Sequence, residues 1–109
     1  MGKVKNSPGV RVDLRVVIYP HQEWWIAHCL ELDLVAEGTT PLNAFRDLVD
    51  ISITQVETAT EMGNLESIFR AAPPEIWAMF SRASDAPQMK PKSASQSVER
   101  FEVREVALA

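Results

Sequence analysis

From Val10 to Tyr19 the chain alternates. Val10, Val12, Leu14, Val16 and Ile18 share one parity, and Arg11, Asp13, Arg15, Val17 and Tyr19 share the other. A period of two belongs to a β-strand with one face buried, so a strand is predicted over 10–19. Pro20-His21-Gln22-Glu23 is polar, contains a proline and has the length of a hairpin loop. Trp24 to Leu30, rich in aromatic and apolar residues, reads as a second strand. Glu31-Leu32-Asp33 reads as a tight reversal, and Leu34 to Glu37 as a short third strand. The first third of the chain is therefore expected to be an antiparallel meander.

At Thr40 the period changes. Thr40 is a good N-cap, and Pro41 suits the first helical position, where its missing N–H costs nothing. The helix is predicted to run to Met62, with Gly63 in the left-handed conformation that ends helices. Its polar side is compact: Asn43, Arg46, Asp47, Asp50, Thr54, Glu57, Thr58 and Glu61. Its apolar side is wider than the stripe of about 100° that a helix needs to cover a sheet. A further element or a second copy of the chain is expected beside it, with Leu42, Val49, Ile53 and Val56 as candidate oligomer-interface residues.

Two short helices should follow. Asn64 can cap one carrying Leu65, Ile68 and Phe69; Pro73-Pro74 stops it and starts another carrying Ile76, Trp77 and Phe80. Both are candidates to cover the wide stripe. From Ser84 to Ser97 the composition shifts to Ser, Pro, Lys, Ala and Gln, which predicts a flexible loop longer than most in compact domains. Val98 to Leu108 reads as a last strand with imperfect alternation, as a bulge or a two-sided environment would produce. Its tether is long enough to deliver it to its own sheet or to a neighbour's. The expected fold class is α+β: a three-stranded antiparallel meander, one long helix, two short helices and a C-terminal strand, in the order β-β-β-α-α-α-β. It forms one domain over 10–109, preceded by a disordered stretch over 1–9.

Composition narrows the function. A chain of 109 residues, 46% hydrophobic and 24% charged, has the make-up of one ordinary globular domain. A net charge of -4 argues against binding nucleic acid by phosphate neutralisation and suits a basic partner. The single cysteine allows no internal disulfide, which fits a reducing compartment. The chain has no apolar run of the roughly 18 residues that a membrane span needs. The opening MGKVKNSPG has no apolar segment behind its basic residues, so no signal peptide is expected. A cytoplasmic protein with no membrane contact follows.

The reactive side chains do not converge. His28 and Cys29 are neighbours on a predicted strand, point to opposite faces and cannot form a nucleophile–base pair. Cys29 is read as a small buried hydrophobe. His21, His28, Glu31 and Asp33 lack the short fixed spacings of zinc sites. Asp13 stands among Arg11 and Arg15, where a charge neighbour is the simpler account. Gly38-Thr39-Thr40 lacks the repeated glycines and the lysine of a phosphate loop. No catalytic residue, metal or cofactor is expected. Trp24 and Trp25 point to opposite faces: one can fill the core, while the other either anchors an interface or is covered by Pro20 or the C-terminal strand.

The run WIAHCLELDLVAEGTTPLNAFRDL, following the N-terminal hairpin, resembles the HicB-like antitoxin family. The resembling features are the turn over Leu30–Leu34, the short strand Val35 to Gly38 closing on glycine, the Thr39-Thr40 cap, and Ala44 with Leu48 facing inward. Together they cover about residues 10–62. The resemblance implies a β-β-β-α-β unit like a partial ribonuclease H fold without nuclease activity. It also implies a partner, a small basic ribonuclease toxin of the HicA kind, and assembly as a homodimer or homotetramer. On this reading Glu31, Asp33 and Glu37 face the toxin's basic surface, with Trp24 or Trp25 as anchor. The C-terminal DNA-binding module of many family members has no counterpart here, so direct DNA binding is not expected. The alternative is an orphan homo-oligomeric domain with no toxin partner.

Overall fold

The computed structural model describes residues 11–92 and 95–107. The expected disordered stretch over 1–9, and Val10 and Leu108 of the predicted outer strands, lie outside the described residues. The fold is α+β, a five-stranded mixed sheet with two helices. The strands are β1 (Val12–His21), β2 (Trp24–Cys29), β3 (Leu34–Gly38), β4 (Ser84–Asp85) and β5 (Val98–Glu105); the helices are α1 (Pro41–Met62) and α2 (Pro74–Arg82). Across the sheet the order is β3-β2-β1-β5-β4.

The meander forms as its alternation predicts, with β1 antiparallel to β2 and β2 antiparallel to β3. β5 instead runs parallel to β1, on the edge that β2 leaves free. A parallel neighbour requires a crossover rather than a tight turn, and α1, α2 and the segment behind them supply it. The register of β5 shifts opposite Val12 and Asp13, which face Val98 and Arg100. The extra residue, Glu99, is the bulge behind the imperfect alternation of the last strand.

α1 is bounded as its caps dictate. The Thr40 hydroxyl accepts from the Asn43 N–H at 3.1 Å, and Gly63 closes the helix at φ 73°. Only a residue without a β-carbon takes that conformation freely. Gly38 is needed for a different reason: a β-carbon there would stand 2.5 Å from the Ala44 nitrogen, so the end of β3 can abut the start of α1 only as glycine. The helix buries Ala44, Phe45, Leu48, Val49 and Val56 against Leu14, Val16, Ile18, Ala27 and Cys29. It lies chiefly over β3 and β2.

The expectation that both following pieces would flank α1 is half met. A 3-10 turn, Leu65–Ile68, packs beside α1. Asn64 makes no side-chain cap, and Phe69 stays exposed. α2 goes to the opposite face of the sheet, where Ile76 and Phe80 cover Val17, Leu30 and Ala72. Backbone bonds from the Arg70 N–H to the Glu31 carbonyl (2.9 Å) and from the Ala72 N–H to the Leu30 carbonyl (2.8 Å) carry the chain round that edge. The Arg104 guanidinium holds the helix from the other side. It lies 4.3 Å from the Phe80 ring and donates to the Phe80 carbonyl at 3.0 Å.

The segment expected to be a flexible loop over 84–97 is fastened at both ends. Ser84 and Asp85 pair with Glu105 and Arg104, and the Ala86 N–H donates to the Val103 carbonyl at 2.9 Å. At the other end Ser95 is buried, its hydroxyl donating to Glu57 at 3.0 Å while Arg11 donates to its carbonyl. Among the described residues no helix is long and apolar enough to cross a membrane.

Candidate interaction site

Strand alternation sends His28 and Cys29 to opposite faces, as their adjacency requires. Cys29 lies in the core under α1, and burial pushes its thiol up to about 12. A thiol held neutral in this way is no nucleophile at physiological pH. His28 lies on the α2 side of the sheet. Its Nε2 is 2.7 Å from Asp33 Oδ1 and its Nδ1 is 3.4 Å from the Tyr19 hydroxyl, which burial shifts upward. Asp33 takes φ 52°, the left-handed conformation that closes the turn, and its carboxylate grips the buried imidazole. The chain Asp33–His28–Tyr19 ties the turn to the sheet. Among the described residues no three His, Cys, Asp or Glu side chains gather to hold a metal ion.

The five residues assigned to partner binding divide into two groups. Glu31 is committed: it accepts from the Arg15 backbone N–H at 2.8 Å and from the Arg15 guanidinium, whose other contact is the Trp77 ring at 5.8 Å. Asp33 is committed to His28. Trp25 packs on the core under α1. Glu37 is exposed on β3, the open edge of the sheet. Trp24 is 45% exposed where β2 begins, beside Gly38, Thr39 and Asn43 at the start of α1. Neither Pro20 nor the C-terminal strand covers it.

Around Trp24 lies a shallow cleft that the sequence alone did not mark. Asp47 and Asp50, one turn apart on α1, line it together with Arg46 and Lys92. Asp47 and Asp50 thus share the cleft with two bases, yet neither forms an ion pair among the described residues; Glu23 in the hairpin and Glu37 on the edge strand are also without an ion pair there but do not line the cleft. The helix acids belong to the solvent side by periodicity. Only the contact between Gly38 and Ala44 brings them next to Trp24.

The four interface candidates on α1 are placed by the core. Val49 and Val56 are buried within the chain, against the sheet; Leu42 and Ile53 are half-buried and pack against the same core. The wide arc is filled from within, by the sheet and by Leu65 and Ile68 of the 3-10 turn. The apolar side chains that α1 and its flanks leave in water are Ile51, Met62 and Phe69.

No family model matches the chain, and no curated protein or solved structure matches it either.

Proposed function

We propose that the chain is a HicB-like protein-binding module that works in the cytoplasm and neutralises a small basic ribonuclease toxin of the HicA kind. The carrying observation is Trp24: a large aromatic left open where β2 begins, beside Asp47 and Asp50, which form no ion pair among the described residues. Tryptophan concentrates binding energy where it can be desolvated, and unpaired acids around it steer a basic surface and fix its register. The element order supports the same reading, since three antiparallel strands, a long helix and a strand returning beside β1 make the β-β-β-α-β unit that the resemblance implies. The contact groups on this reading are Trp24, Asp47 and Asp50, with Glu37 on the neighbouring edge strand, while Glu31 and Asp33 hold the turn at the opposite end of β2. No catalytic step is assigned to the module; it acts by covering.

The test is affinity capture of the tagged full chain from its native source, read by mass spectrometry. Recovery of a stoichiometric basic protein that is toxic alone and harmless with this chain supports the reading. Trp24→Ala then weakens that complex by about thirtyfold, the effect of losing a hot spot worth about 2 kcal/mol. Recovery of the bait alone as a defined oligomer supports the orphan reading, for which the open edge of β3 with its exposed Val35 is the favourable observation.

A further inference from the structure

A second cleft, of about 750 Å³, opens on the α1 side of β5, with Ile53, Pro91 and Lys92 between it and the cleft beside Trp24. Its origin is architectural. α1 crosses over β3 and β2 and leaves the same face of β5 without a helix. That face carries Val98, Phe101 and Val103, which need a cover, and residues 86–92 with Ser95 provide it. The cover is fastened at Ala86 by its bond to Val103 and at Ser95 by Glu57 and Arg11. Between these fastenings Pro87 and Pro91 lack the N–H groups that would extend pairing along β5. A turn after Ala86, closed by the Met89 N–H on the Ala86 carbonyl at 3.0 Å, ends the pairing there, and the space beside it is lined by Ile53, Met89, Val98, Phe101 and Val103.

The charges at the cleft are not balanced. Each acid that lines it is already matched by an arginine: Asp85 by Arg104 at 3.4 Å, Glu102 by Arg104 at 3.3 Å, and Glu99 by Arg11 at 3.0 Å. Lys90 and Lys92 stand at the rim with no acid partner among the described residues. A chain of net charge -4 thus places two unmatched ammonium groups over an apolar floor. Small-molecule sites are concave and mostly apolar, hold a few placed polar groups, and enclose about 300–1,000 Å³.

We infer that this cleft binds a small amphipathic anion: a carboxylate or phosphate monoester whose head meets Lys90 and Lys92 and whose apolar chain or ring lies on Phe101, Met89 and Ile53. This inference concerns a ligand of opposite charge to that of the toxin-binding reading, in a cleft that adjoins the one beside Trp24 and shares Ile53, Pro91 and Lys92 with it.

The experiment titrates the full chain with four probes of one chain length, octanoate, octyl phosphate, octan-1-ol and octyltrimethylammonium. Calorimetry gives affinity, and NMR shifts of the Met89 and Ile53 methyls locate the ligand. The two anions are expected to bind more tightly than the alcohol and far more tightly than the cation, with shifts at Met89 and Ile53. Tighter binding of octyl phosphate than of octanoate assigns a phosphate head, and the reverse a carboxylate. The double variant Lys90→Glu, Lys92→Glu alters only exposed side chains and is expected to keep its melting temperature. It should bind both anions roughly tenfold more weakly, an exposed ion pair contributing up to about fivefold. Anion binding no tighter than that of the alcohol, affinity unchanged in the double variant, or shifts confined to residues around Trp24 would each overturn the inference.

Discussion

The two faces of the sheet are covered by helices of different length, and they are held by different physics. On one face α1 lays 22 residues over the strands, and the burial is apolar apart from Ser52, from Leu14, Val16 and Ile18 to Phe45, Leu48 and Val56. On the other, α2 has nine residues and brings Ile76 and Phe80 to Val17 and Leu30. The rest of that face is tied by polar pairs: Arg15 with Glu31, His28 with Asp33, Arg104 with Asp85 and Glu102. Apolar burial scales with area and needs no direction. The polar ties add less each but fix the β2–β3 turn and the end of β5 in register. The first face therefore sets how stable the domain is, and the second sets where its edges lie.

The largest effect expected from this contrast is at Phe45, fully buried and set edge-on to Phe101 with ring centres 6.2 Å apart. Phe45→Ala should lower the unfolding free energy by about 3–5 kcal/mol in denaturant melts. Phe80→Ala on the α2 side should cost less, about 2 kcal/mol, because the space opens toward solvent and can partly collapse. A cost at Phe80 equal to that at Phe45 would show the two faces to be one cooperative core.

An alkaline titration sharpens the comparison from the side of Cys29. Its thiol is raised by burial from 9.0 to about 12, so the folded chain keeps a proton that the unfolded chain releases. The unfolded state then binds fewer protons above pH 9, and stability falls as pH rises. The contribution is whole below about pH 9 and is lost on the way to pH 12, and Tyr19, also raised by burial, adds in the same direction. Equilibrium melts of the protein and of Cys29→Ala between neutral pH and pH 11 check this: the variant should show the smaller alkaline loss. At pH 8 the native thiol should also resist a disulfide reagent that titrates it fully after unfolding.

The smallest effect is at Ser52, fully buried on the core side of α1, whose hydroxyl has the weakly bonding Cys29 thiol beside it and no well-formed hydrogen bond among the described residues. Ser52→Ala removes an unsatisfied polar group and adds helix propensity, and should be neutral or stabilising by up to about 1 kcal/mol. A clear loss of stability would assign the hydroxyl a role beside Cys29.

Much of this fold is legible in the sequence, because the signals that reveal it are local. The alternation of β1, the reversal at Glu31-Leu32-Asp33, the Thr40-Pro41 start and the Gly63 stop depend on neighbours within a few residues. The second cover was signalled more faintly. Val17 and Tyr19 sit at the parity of Arg11, Asp13 and Arg15, and two apolar residues on a polar face mark a place where something packs. The candidate site was half legible. An exposed tryptophan follows from Trp24 and Trp25 pointing apart, but its acidic neighbours do not, since Asp47 and Asp50 lie more than twenty residues away in the chain.

By itself the sequence determined the meander, the long capped helix, the buried cysteine and the divergence of His28 from Cys29, because period, capping and side-chain direction act over one or two turns of chain. Tertiary structure alone decided that the last strand lies parallel beside β1, that α2 crosses to the far face, and that Glu31 and Asp33 are committed inward while Trp24 stays open. Each of these depends on which edge or face remains uncovered after the local elements have formed, and that is a property of the assembled sheet.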